Sequence, residues 1–121
     1  MHDQPLYEIK ADLFRGLAHP LRIRILELVT AEHEVPVSTL IEDTGLKPSN
    51  LSQHLAVLRR YGLLVSERRG SQVYCRAADP GVGELLGAAR LVLSRTLDAR
   101  HRVAEGLDAP RVPDAATSAS E

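Results

Sequence analysis

One cysteine in 121 residues excludes an internal disulfide framework and any cysteine-rich zinc module. No apolar run reaches the roughly eighteen residues that a membrane helix needs, and no basic, apolar, small-residue leader opens the chain. We therefore expect a soluble cytoplasmic protein with no membrane partner. A glycine-rich phosphate loop, a His-Glu-x-x-His pair and a Ser, His and acid set on a recognisable scaffold are all missing, so an enzyme is not expected. Net charge is also scarce, at −1, and by itself gives no nucleic-acid signal. Its distribution does. Between Lys47 and Ala77 stand Lys47, Arg59, Arg60, Arg68, Arg69 and Arg76 against Glu67 alone, a net of +5 that leaves −6 for the rest. A basic patch on a near-neutral chain is a local electrostatic footprint.

What the chain does have is hydrophobic periodicity. Its length predicts one domain with a modest core, to which a dimer interface could add stability. The stretch Leu46 to Arg60, LKPSNLSQHLAVLRR, reads as a helix that meets DNA. Gly45 ends what precedes it, and Pro48 suits a first helical position. Leu51, Leu55 and Leu58 form one buried stripe. Ser49, Asn50, Ser52, Gln53, His54 and Arg60 occupy the rest of the circumference, with short polar groups early and arginines late. Such a helix can present its N-terminal end to base edges and its flanks to phosphates. Taken alone, the same pattern also describes an ordinary amphipathic helix with a solvated face.

The neighbouring segments give that stretch its context. Leu6, Ile9, Leu13 and Leu17, with Phe14 beside them, predict a first helix ending between Gly16 and His19. Pro20 opens a second, with Leu21, Ile25, Leu28 and Val29 inward and Arg22, Arg24 and Glu27 outward. Ala31 to Pro36 reads as a polar loop, and Val37 to Thr44 as a short helix capped at Ser38 or the residue before it and stopped by Gly45. Two short helices about a glycine turn make a helix-turn-helix. Leu64–Arg69 and Gln72–Ala77 then read as two strands about Gly70-Ser71, with Val73, Cys75 and Ala77 on one face and Tyr74 and Arg76 on the other. Arg68 and Arg69 stand at the tip of this basic ribbon. From Pro80 a long helix carries Val82, Leu85, Leu86, Ala89, Val92, Leu93 and Leu97 in a stripe that suggests a partner helix from a second copy. The domain is thus expected to span 1–105, with 106–121 a disordered tail.

Two phrases, LFRGLAHPLRIRILELV (Leu13 to Val29) and TGLKPSNLSQHLAVLRRYGLLVSERRGSQVYCRA (Thr44 to Ala77), and the spacing between them resemble the ArsR/SmtB bacterial winged-helix regulators. The resemblance covers about Leu6 to Val103. It implies a mainly α winged helix-turn-helix of about five helices with a two-stranded wing, paired as a homodimer through the first and last helices. It further implies binding to an imperfect inverted repeat of double-stranded DNA, often as a repressor released by an effector. By position it assigns DNA contact to Ser49, Asn50, Ser52, Gln53 and His54 on the helix, and to Arg68, Arg69 and Ser71 on the wing. Lys47 replaces the family's usual capping serine and leaves the helix N-terminus to water or a DNA phosphate.

The resemblance also implies two metal-sensing patterns, and the chain departs from both. Relatives often carry a cysteine pair near the third helix, where this chain reads Glu34-Val35-Pro36-Val37-Ser38. Others use a His-rich set on the last helix. Here Asp98, His101 and Glu105 are spaced three and four apart, with a single imidazole among them. A solvated, charge-balanced face is the plainer reading of these three. The alternative is a weak divalent (nickel, zinc or cobalt) site between subunits, with His2 as a further ligand. We therefore expect no cofactor, and control by a non-metal effector or a regulatory partner protein. A winged-helix module that docks protein instead of DNA is a separate alternative. Cys75 reads as a small core hydrophobe, and His19 as structural.

Overall fold

The computed structural model describes residues 4–105, with side chains as far as Val103. His2 and the expected tail over 106–121 lie outside the described residues. The chain divides into two units, one running to Glu84 and the other beginning at Leu85. Among the described residues eight elements follow one another: α1 (Leu6–Leu17), α2 (Pro20–Glu32), β1 (Val35–Pro36), α3 (Val37–Thr44), α4 (Pro48–Arg60), β2 (Leu64–Arg69), β3 (Gln72–Ala77) and α5 (Pro80–Glu105). The strands form one antiparallel sheet in the order β1-β3-β2.

Local chemistry fixes the element ends. Pro20 occupies the first turn of α2, where a missing N–H costs nothing, and His19 caps it by accepting the Leu21 N–H at Nδ1 (3.1 Å). Gly45 terminates α3 at φ 70°, a conformation that strains any residue with a Cβ, and its N–H reaches the Ile41 carbonyl at 2.9 Å. The Thr44 hydroxyl donates to the Leu40 carbonyl (2.6 Å) and accepts from Leu46 N–H (3.3 Å), which ties the turn of the helix-turn-helix. Gly70, at φ 62°, closes the hairpin between β2 and β3.

Leu17, Ile25, Leu26, Val29, Val35, Leu40, Leu51, Leu55, Leu58, Leu63, Leu64, Cys75 and Val82 form the core, all of them within the first unit. Full burial of one such leucine contributes about 1.5–3 kcal/mol. The stripe Leu51, Leu55 and Leu58 is therefore enough to orient α4, with its opposite side facing outward.

Four expectations need correction. Ala31 to Pro36 is not simply a loop: α2 continues through Glu32, and Val35–Pro36 adds a third strand, with Val35 opposite Cys75 and Pro36 opposite Tyr74. Pairing to the inner edge of the hairpin outweighs the presence of proline, because a two-residue edge strand needs few N–H donors. Arg22 does not point away; it is half-buried and donates from Nε to the Gly16 carbonyl (2.7 Å) and from Nη2 to that of Arg15 (3.2 Å). Leu26 is fully buried, whereas Leu21 and Leu28 are only half-buried. The N-cap of α3 is Pro36, with no side-chain cap, and Ser38 is exposed.

The second unit carries most of α5. Leu91, Val92, Leu93 and Leu97 are all between 56% and 59% exposed, far more apolar surface than an ordinary helix leaves uncovered. In the first unit, Leu6, Tyr7, Ile9 and Phe14 of α1 are also exposed. Among the described residues no helix is long and apolar enough to cross a membrane.

Candidate nucleic-acid interface

The first two turns of α4 present Ser49, Asn50, Ser52 and Gln53 as exposed side chains, with the Leu51 side chain buried beneath them. Lys47, also exposed, is the N-cap residue and makes no side-chain capping bond. Pro48 has no N–H and Leu51 N–H donates to the Lys47 carbonyl (3.0 Å), so the amides of Ser49 and Asn50 have no intrahelical acceptor. The result is a positive helix end, one lysine and four small hydrogen-bonding groups on one surface. That combination suits phosphate at the helix end and base edges along its first turns. Arg60, also exposed, closes the far end, with its guanidinium 5.4 Å from the Tyr61 ring centroid.

His54 stands apart from these groups. It is half-buried, its ring lies 4.4 Å from that of His19, and its Nδ1 is 3.4 Å from Nη1 of Arg22. Burial, the neighbouring His19 and the Arg22 charge, in that order, push the His54 pKa below its ordinary value and favour the neutral ring. The His-Pro-x-Arg phrase of α2 and the Ser-x-His phrase of α4 thus meet in space, 32 residues apart in sequence.

The wing has two different faces. Cross-strand partners share a side of a sheet, and the register pairs Ser66 with Cys75 and Arg68 with Val73, but Glu67 with Tyr74 and Arg69 with Gln72. Arg68 therefore lies on the side of Ser66, whose hydroxyl accepts from Arg59 Nη1 of α4 at 3.2 Å. Arg69 lies on the other side. It forms a fork with Glu34 (Nη1 to Oε1, 2.9 Å; Nη2 to Oε2), reaches Glu67 at 3.2 Å, and stacks 4.6 Å over Tyr74. Arg68 has no ion-pair or hydrogen-bond partner among the described residues, and Ser71 is exposed at the turn. Glu34 and Tyr74 were not singled out from the sequence. Only the pairing of Val35 with Cys75 and Pro36 with Tyr74 brings Glu34 to the wing, and no local pattern signals it.

Of the metal candidates, Asp98 and His101 are exposed on α5, while the side chain of Glu105 lies outside the described residues, as does His2. Among the described residues no three His, Cys, Asp or Glu side chains are grouped to hold a metal ion. Cys75 is fully buried, and burial pushes its thiol pKa up.

Comparison with known proteins agrees with this geometry. A helix-turn-helix domain family matches residues 17–67. The uncharacterised HTH-type transcriptional regulator Rv0081 of Mycobacterium tuberculosis is 47% identical over 109 residues, which covers 90% of this chain and 96% of that protein. Its crystal structure superposes with a TM-score of 0.74 at 48% identity, over 81% of this chain and 98% of that one. The homodimeric winged helix-turn-helix DNA-binding domain Mb0332 from Mycobacterium bovis, a possible ArsR-family regulator, gives a TM-score of 0.67 at 28% identity over 78% of this chain and 91% of that one. The nodulation protein NolR of Rhizobium meliloti is 36% identical over 81 residues, 67% of this chain and 66% of its own. The chain belongs to the HTH-type transcriptional regulators, with a winged helix-turn-helix DNA-binding fold.

Proposed function

We propose that two copies of this chain bind an inverted-repeat operator in duplex DNA, with α4 of each copy in a major groove and each wing beside the flanking backbone. The observation that carries this reading is the exposed set Ser49, Asn50, Ser52 and Gln53 at an uncapped helix N-terminus, fixed in place by the buried stripe behind it. Base edges in the major groove offer donors and acceptors to just such short polar groups. Pairing of two copies is supported by the uncovered apolar side chains of α1 and α5 and by the homodimeric state of the Mycobacterium bovis domain. Control falls to a non-metal effector or a partner protein, since proline and serine stand where family resemblance places thiolates near α3. Footprinting on the DNA that flanks its own gene tests the proposal. Two protected half-sites about one helical turn apart are expected. A single unpaired footprint, or none at low salt, contradicts it.

A further inference from the structure

The two arginines at the wing tip are not equivalent. Arg69 already has a full set of partners: two carboxylates, Glu34 and Glu67, and the face of Tyr74 beneath its guanidinium. With Arg76 reaching Glu67 at 3.6 Å, two carboxylates meet two guanidiniums, so the cluster carries no net positive charge to offer a phosphate. A phosphate would have to displace a bidentate carboxylate, the arrangement that best matches a guanidinium fork. Glu34 also belongs to the body of the domain, at the junction of α2 and β1, whereas Arg69 and Glu67 belong to the wing. Tyr74 lies opposite both Pro36 of β1 and Glu67 of β2, so the stack spans the same joint.

We propose that Arg69 is a positioning residue and not a phosphate ligand: by gripping Glu34 across the Tyr74 ring it fixes the wing against the body, and so sets where Arg68 meets the DNA backbone. This rests on the DNA-binding reading above and refines it. The division of labour follows from the strand register, which sends Arg68 to the side of Ser66 and Arg59 and Arg69 to the side of Glu34.

The test is binding of the full chain to a short fluorescein-labelled duplex of mixed sequence, followed by anisotropy between about 50 and 200 mM salt. R68A is expected to flatten the slope of log affinity against log salt by about one, the signature of one lost phosphate contact. R69A and E34Q are expected to keep the wild-type slope and weaken binding about fivefold at every salt concentration, the scale of one lost surface pair. An R69A slope as flat as that of R68A, or an E34Q variant that binds more tightly, would each overturn the proposal. All the altered side chains are exposed or half-exposed, so circular dichroism should report an unchanged fold. Absence of wild-type binding at the lowest salt would instead defeat the DNA-binding reading itself.

Discussion

The ring of His54, on the inner flank of α4, lies 4.4 Å from the ring of His19 at 53°, and Arg22 closes the third side of the cluster. Arg22 also bonds the Arg15 and Gly16 carbonyls near the end of α1, so three elements meet at one cationic joint behind α4. Among the described residues no carboxylate is bonded to His54, and the charged or titratable groups beside it are Arg22 and His19. A proton added to His54 would therefore face repulsion.

Stability should fall with acid in a window set by His54. Its folded pKa lies below the ordinary value of about 6.5, so the unfolded chain takes up the proton first as pH drops. The contribution is intact above about pH 6.5 and is lost as pH falls toward the depressed folded value. Glu34 and Asp43 titrate lower, each held below its usual range by an arginine hydrogen bond, and so do not share this window. Melting temperatures at about pH 7.5 and 5.5 should differ less in H54Q than in the wild type. An equal drop in both would mean that His54 does not titrate here.

Gly16 and Tyr61 form the contact between α1 and the end of α4. A Cβ at position 16 would sit 2.9 Å from Cδ2 of Tyr61 and 3.0 Å from its Cβ and Cγ. Alanine gains at most about 1 kcal/mol in helix propensity, whereas overpacking costs about 1–3 kcal/mol. G16A should therefore be destabilised, with a lower urea midpoint and an unchanged slope. A midpoint at or above the wild type would show that the joint yields freely.

Much of this architecture is legible in the chain, because short-range rules place it. Pro48, Gly45, Gly70 and the leucine spacing set α3, α4, β2 and β3 at the bounds read from the sequence. What escaped reading depends on distant partners. β1 is two residues long, contains a proline, and exists only because β3 lies beside it. Arg69 looks like its neighbour Arg68 until the register separates their faces and Glu34, 35 positions away, comes into range. His54 sits in a polar run and resembles Gln53 in type, yet the helix turns it toward His19 and Arg22.

Cys75 should be chemically silent in the native protein. It has no exposed surface, and burial raises its thiol pKa against the smaller opposing effects of the Ser66 hydrogen bond and the Arg59 charge. A thiolate is needed for disulfide exchange. Ellman's reagent at about pH 8 should leave the folded chain unmodified and titrate one thiol after denaturation. Rapid reaction of the folded protein would place the residue at an accessible, reactive site.

The uncovered face of α5 should control assembly. Leu93 is 58% exposed, and a charge there is harmless to a solitary chain but is costly to desolvate at a helix–helix contact. L93R is expected to sediment as a monomer with its helical signal retained, and to bind DNA more weakly. A variant that still sediments as a dimer would place the interface elsewhere.

The central claim is that the exposed N-terminal turns of α4 read base sequence. The most direct measurement is selection from a randomised duplex pool by the wild type, S49A, N50A and Q53A. The account predicts that each variant loses discrimination at particular positions, related by symmetry between the two half-sites, by about 1–3 kcal/mol for each lost bidentate contact. Recovery of one and the same sequence with equal preference by all four proteins would contradict it.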